Sequence, residues 1–386
     1  MSSRFKILLI HNSADIYGAS KSLLRLARSL DRNRFELLVG LPHGGPLQEL
    51  LQQSGVRVMI LPELRVITRQ VLKSAQIIPF LLDLPFSTRK LANLIRREGV
   101  DLVHTNTGVI LNSAVAAKLA GAKHIWHIRD WFGEFGAMWK PYSKYIAGFS
   151  AYVLCVSRAI AGQFSPSERI QVLPNGFPAE EFAVDREKLR ATIREKFNLG
   201  DTLVIGVVGR IKFQRKGQEF LVQAAKILKD RGIAARYLIV GSPSPGSEDH
   251  LSRLKALIQE LGLQNDVVFT GELEDTKPAY AAMDIAVLPS AQPEPFAGVN
   301  MEAMVMDLPV VATNIGGSPD QIVDGTTGFL CNPGDPKDMA DKLEILCRDT
   351  DLRSKMGNAG RARVLNEFSL EAMVQRIESI YFKVLS

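Results

Sequence analysis

The chain has 386 residues, 46% of them hydrophobic and 23% charged, a balance that excludes a disordered, collagen-like or repeat protein and suits two domains of roughly 180 residues. The formal net charge of +6 is unevenly divided: residues 1–177 carry 22 Lys+Arg against 11 Asp+Glu, and residues 178–386 carry 25 against 30. The three cysteines, Cys155, Cys331 and Cys347, sit in apolar segments and are too few for a disulfide framework, which points to a reducing compartment.

The opening segment MSSRFKILLIHNS has too short an apolar stretch for a signal-peptide core, and no apolar run approaches the roughly 18 residues of a membrane span. A cytoplasmic protein is expected, with peripheral contact to the inner face of a membrane left open. In chain order, FKILLI, ELLVGLP, VRVMILP, DLVHTNT, KHIWHIR and AYVLCVS are β-branched or aliphatic runs, each followed by a helical pattern. LVIGVVG, RYLIVG, DVVFTG, DIAVLPS and LPVVAT repeat this design in the second half. Strands alternating with helices predict parallel sheets covered on both faces, so the expected fold is α/β with two doubly wound domains. The cluster PNGFPAEEF at 174–182 reads as the linker. The predicted domains are 1–177 and 178–368, followed by an amphipathic helix over 369–386.

Between the third and fourth runs lie many cations. Arg65, Arg69 and Lys73 fall four apart, and the pairs Arg89/Arg96 and Lys90/Arg97 are each seven apart. If helical, both stretches present basic ridges among Val66, Ile67, Leu72, Ile77, Ile78 and Phe80. Such ridges suit an anionic membrane surface and a lipid-linked acceptor; a solvated helix face over a core explains them equally well. No nucleic-acid recognition signature accompanies the basic half. Two strand-end histidines, His104 in DLVHTNT and His127 in IWHIRDWF, are candidates for a ligand cleft or for satisfied structural positions. His11 lies near the end of the first run.

In the second half, LVIGVVGR is a buried strand whose glycine turn delivers Arg210 to the carboxyl end of the sheet, and Lys216 follows in the same loop. Two cations in a water-poor cleft suit a diphosphate, though a solvated basic run is the plainer alternative. Glu294 stands between Pro293 and Pro295, and Phe296-Ala297-Gly298-Val299 then opens a helix with Glu302 expected in its first turn. Such a helix start is an anion site, where Gly298, Val299 and Asn300 can approach a phosphate. Glu302 suits ribose hydroxyls, or only complements the helix dipole. The one Asp-x-Asp, Asp349 to Asp351, is far in sequence from these motifs, so no metal site is expected. GxGxxG and GxxxxGK[ST] are both missing from the sequence.

The Glu-x7-Glu spacing of Glu294 and Glu302, the GR…KG loop, YAAMDIAVLPS, NIGGSPDQIVDGTTGFL and the PNG hinge resemble glycosyltransferase family 4, in order along nearly the whole chain. The resemblance implies a GT-B fold, two Rossmann-like domains facing across a cleft, with the last helix returning to the first domain. It implies retaining transfer of a hexose-type sugar from a UDP-sugar or GDP-sugar to a saccharide or lipid-linked acceptor in bacterial polysaccharide or glycolipid synthesis, without metal or cofactor. By the same resemblance Arg210 and Lys216 bind the donor diphosphate, Glu294 contacts the donor sugar, Glu302 holds the ribose, and Gly298 and Val299 give backbone phosphate contacts. Phe296 and Ala297 belong to the same donor segment. Gly18 and Ala19 resemble a glycine-rich turn against the phosphates, His127 lies near the donor sugar, and the backbone around Gly271 to Leu273 recognises the base. Ala19 and Ala297 stand where glycine is frequent, and Asp320 where glutamate is usual. A donor-binding scaffold without turnover and a GT-B epimerase are the competing readings, and a two-carboxylate glycosidase leaves the cationic loop unexplained.

Overall fold

The computed structural model describes residues 4–68, 71 and 74–386, the side chains of Glu134 and Ala137 excepted. The chain forms two compact units, one of the residues up to Gly176 together with Leu370–Ser386, the other of Phe177–Ser369.

In the first unit the strands β1 (Phe5–Ile10), β2 (Phe35–Leu41), β3 (Arg57–Ile60), β4 (Leu102–Thr105), β5 (Lys123–Ile128), β6 (Tyr152–Cys155) and β7 (Ile170–Val172) form one sheet in the order β3-β2-β1-β4-β5-β6-β7. Neighbouring strands run parallel. Successive residues of β1 serve opposite faces: Ile7 and Leu9 enter one core with Leu102, Ile125 and Leu154, whereas Leu8 and Ile10 enter another with Leu91, Ile95 and Val103. Burial on both faces explains the unbroken apolar run that announced the strand. The helix Leu370–Leu385 closes the first of these cores with Met373, Val374, Ile377, Tyr381 and Val384.

In the second unit β8 (Leu203–Val208), β9 (Ala235–Val240), β10 (Val267–Gly271), β11 (Ile285–Leu288), β12 (Val310–Thr313) and β13 (Gly328–Cys331) are also parallel, in the order β10-β9-β8-β11-β12-β13. Each sheet has one point where the strand order reverses, between β1 and β4 and between β8 and β11. The crevice beyond the carboxyl ends of such a pair is where doubly wound sheets bind ligands.

Two sequence expectations change, that of a helix starting at Arg65 and that of Glu302 in a first turn. Residues 65–67 are extended, not helical: Val66 bridges Ile110, and Ile67 N–H donates to the Val109 carbonyl at 2.8 Å. A helical ridge therefore does not begin at Arg65, which instead pairs with Asp83. Arg69, Leu72 and Lys73 lie outside the described residues. Asp349 caps the helix Thr350–Glu367, accepting from Leu352 N–H at 2.8 Å, so the Asp-x-Asp is a helix start. Glu302 is the fifth residue of its helix, Gly298–Val305, and so lies beyond the first turn, where a carboxylate would complement the dipole best. Arg89, Lys90, Arg96 and Arg97 are exposed on the helix Ile77–Glu98. Among the described residues no helix is long and apolar enough to cross a membrane.

Candidate active site

In the second unit the loops that follow β8 and β11 meet. Gly217, at φ +75°, approaches the Pro289 carbonyl so closely that a Cβ would lie 1.8 Å from its oxygen, and Ala291 N–H donates to the Arg215 carbonyl at 3.0 Å. This contact sets Lys216 against Glu294. Their Nζ and Oε1 atoms are 2.7 Å apart, with the side chains 30% and 21% exposed, and Ser290 Oγ donates to the same Oε1 at 3.2 Å. Glu294 is braced from behind by Gly316 and Gly317, which pack on the backbone of Glu294 and Pro295, and Gly317 N–H donates to the Glu294 carbonyl at 2.8 Å. Any side chain at either glycine would push this loop away.

Arg210 is exposed at the end of β8, with its guanidinium 3.5 Å from Ser244 Oγ. Its carbonyl accepts from Gln218 Nε2 at 2.9 Å, which ties the cationic loop to the following helix. The helix Gly298–Val305 begins after Ala297, whose side chain cannot cap it, with no side-chain cap supplied among the described residues, and Gly298 is exposed. Those N–H groups and the positive end of the helix favour an anion. Gln321 steadies this start, donating to the Ala297 carbonyl at 2.8 Å and accepting from Asn300 Nδ2 at 2.9 Å. Phe296 turns into the core, edge-on to Phe368 with centroids 5.6 Å apart. Glu302 Oε2 accepts from the Tyr280 hydroxyl at 2.9 Å. Burial and then the Glu302 charge push the Tyr280 hydroxyl well above its usual range, so it stays a donor. Gly271 ends β10 at φ +71°, its carbonyl accepting from Gly241 N–H at 2.8 Å, with Leu273 partly exposed two residues on.

The first unit carries a polar network at its own strand reversal, in which Arg129 and Asn106, which motif reading passed over, join Asn175 of the PNG hinge, His127, His11 and Ala19. Arg129, one residue beyond β5, is buried; its Nε donates to Asn106 Oδ1 at 2.8 Å and its terminal nitrogens to Asn175 Oδ1 and, at 3.3 Å, to His127 Nδ1. Asn106 Nδ2 meets His11 Nδ1 at 3.3 Å and the Ala19 carbonyl at 3.5 Å, and His11 Nε2 lies 3.1 Å from Ser20 Oγ. The start of the helix Gly18–Ser29 is thereby tied to the ends of β1 and β4. Burial lowers Arg129 to about 9, against the pull of Asp130, so it is charged at neutral pH.

A guanidinium only donates, so His127 Nδ1 accepts and the neutral ring carries its proton on Nε2. That Nε2 is buried and has no hydrogen-bond partner among the described residues. Burial, then Arg129 and His104, hold His127 well below the usual imidazole range, against a smaller upward pull from the Leu173 carbonyl. His104 stacks on His127 at 5.4 Å, and its Nδ1 is 2.5 Å from the Tyr381 hydroxyl of the last helix. His104 is thus a buried, helix-anchored group.

These two Rossmann-like units, each with its polar loops at a strand reversal, define a GT-B architecture. Residues 16–181 match glycosyltransferase family 4, and residues 190–363 match glycosyl transferases group 1. The chain belongs to glycosyltransferase family 4. It is 34% identical over 230 residues to the capsular polysaccharide biosynthesis glycosyltransferase CapM of Staphylococcus aureus, an alignment covering 58% of each chain. It is 34% identical over 233 residues to D-inositol 3-phosphate glycosyltransferase of Corynebacterium jeikeium, covering 58% of this chain and 54% of that one. The chain thus spans a little over half the length of these curated relatives. Among solved structures, Anabaena HepE in complex with UDP is similar over 98% of this chain and 100% of its own, with 25% identity and a TM-score of 0.83. The same protein with UDP-glucose gives 25% identity and a TM-score of 0.79 over the same shares.

Proposed function

We propose that the chain transfers a hexose-type sugar, with retention of anomeric configuration, from a UDP-sugar or GDP-sugar to a saccharide or lipid-linked saccharide acceptor. The observation that carries this reading is the Lys216–Glu294 pair at the strand reversal, with Arg210 in the same loop as Lys216 and the start of the helix Gly298–Val305 a few residues after Glu294. Breaking the bond between the anomeric carbon and the diphosphate puts negative charge on the leaving oxygens. Lys216, Arg210 and the helix N–H groups meet that charge in a fixed arrangement, which is where such a site gains most of its rate. Glu294 accepts from the donor sugar's hydroxyls, and Lys216 fixes its orientation. Glu302, steadied by Tyr280, accepts from the ribose. The acceptor oxygen bonds to the anomeric carbon on the face the diphosphate leaves, and its proton passes to a diphosphate oxygen. His127, whose Nε2 has no hydrogen-bond partner among the described residues, is the first unit's candidate donor to a ligand, and no side chain acts as covalent nucleophile or metal ligand.

The UDP and UDP-glucose complexes of HepE support a uridine donor, and the CapM likeness supports a polysaccharide acceptor. A cytoplasmic enzyme resting on the inner face of a membrane fits a lipid-linked acceptor. The test is incubation with UDP-glucose or GDP-mannose and a lipid-extract acceptor, with the product's anomeric configuration read by NMR. A new glycoside of the donor's own configuration, formed equally after chelation, is expected. An inverted product, loss of activity on chelation, or epimerised donor would overturn the reading.

A further inference from the structure

The first unit holds a cavity of about 420 Å³ walled by Leu84 and Pro85 of the helix Ile77–Glu98, Leu111, and Val115 and Leu119 of the helix Ser113–Ala120. That volume lies in the range of small-molecule sites. Three polar side chains also reach the wall, and each is already engaged. Thr88 Oγ1 donates to the Leu84 carbonyl at 2.6 Å. Asn112 donates to the Glu63 carbonyl at 2.8 Å and accepts from Arg65 N–H at 3.1 Å. The Tyr145 hydroxyl donates to the Leu111 carbonyl. A polar occupant would lose its hydration for little return, whereas hydrocarbon loses nothing.

The same helix turns an apolar strip outward: Ile78, Leu81, Leu82 and Phe86 are 61%, 51%, 77% and 60% exposed, at spacings that put them on one face. Its acids are neutralised, Asp83 by Arg65 and Glu98 by Arg57. Cations border both the strip and the cavity. Lys90 lies 4.5 Å above the Phe86 ring, Arg89 is exposed beside it, and Arg96 donates to the carbonyl of the cavity residue Leu119 at 2.7 Å. An apolar strip and carbon-walled cavity with a positive border complement a hydrocarbon chain carrying an anionic head.

We infer that this cavity receives one hydrocarbon chain of an anionic membrane lipid, with Arg89, Lys90 and Arg96 meeting its phosphate head and the Ile78–Phe86 strip resting on the bilayer. The inference deepens the proposed transfer, on which it rests for its purpose: a lipid-linked acceptor is held by its chain on the first unit while the donor binds the second. The test is calorimetric titration of the whole protein with hexyl, octyl and decyl phosphate below their micelle-forming concentrations, with inorganic phosphate as comparator. Affinity is expected to rise about fourfold per added methylene, without competition from inorganic phosphate. Val115→Phe, which fills the cavity, is expected to weaken decyl phosphate at least tenfold while UDP still raises the melting temperature as in wild type. Should that variant fail to fold, Leu119→Lys at an exposed position is expected to give the same loss. Leu82→Glu is expected to lower co-sedimentation with phosphatidylglycerol vesicles severalfold and to leave decyl phosphate affinity within twofold. Affinity independent of chain length, or undiminished by Val115→Phe or Leu119→Lys, would overturn the assignment. Chain binding without any response to UDP would support the cavity and count against the donor reading alone.

Discussion

Lys216 and Glu294 hold each other at 2.7 Å at a partly exposed position, where an ion pair adds little to stability, about 1 kcal/mol or less. On the proposed function its value lies in aiming a cation and a carboxylate at one ligand. Lys216→Gln is therefore expected to lower kcat by about 10²- to 10³-fold while shifting the melting temperature by no more than about 2–4 °C; kinetics and calorimetry on the same preparation check both. The buried histidines make a second prediction. His11, His104 and His124 are lowered to about 3, chiefly by burial, and His127 is lowered well below 6.5. The unfolded chain takes up protons on these groups below about pH 6.5 and the folded one does not. The stability they contribute is thus fully present above that pH and is lost as pH falls. Each such histidine adds about 1.4 kcal/mol per pH unit to the slope once its unfolded form is protonated. The melting temperature is expected to fall steeply from pH 6 to pH 4, and a His124→Gln variant to show a shallower fall. A flat profile over that window would contradict the burial of these rings. Lys216, Glu294 and Glu302 were legible because glycines, prolines and a fixed spacing surround them. Arg129 was not, because an arginine after a strand reads as a solvated charge; its burial follows from Asn106 and Asn175, 23 and 46 positions away.

Turns and caps decide the site's shape at the scale of elements. Gly217 combines a positive φ with contact on the Pro289 carbonyl, so Gly217→Ala strains the backbone and separates the two loops. Loss of nucleotide binding with a melting temperature lower by several degrees is expected, read by thermal shift with and without UDP. Asp349→Ala removes only a helix cap, with an expected cost of about 1 kcal/mol, a drop of about 2–4 °C, and unchanged kcat. A collapse of activity in that variant would contradict the purely capping role of Asp349. The long buried strands were legible as apolar runs with glycine or proline punctuation. β7 and β13 escaped notice because they have only three and four residues and lie at sheet edges. Residues 65–67 misled because four-residue charge spacing also occurs in extended chain, where the pairing with 109–111 wins.

Across the whole molecule, two parallel sheets with one strand reversal each place all the candidate loops at carboxyl ends of strands, and the last helix completes the first unit's core. Alternating strands and helices declared this architecture in the sequence. The identity of the base and sugar was not declared, because backbone groups such as those around Gly271 carry little side-chain signature. The most direct test of the account is a thermal-shift comparison of UDP, GDP, ADP and their sugar conjugates on the wild type, Arg210→Ala and Glu302→Ala, since a ligand that binds the native state raises its melting temperature. A shift selective for one base and lost in both variants is the predicted result. No shift with any nucleotide, or one that survives both substitutions, would contradict the placement of the donor at this site.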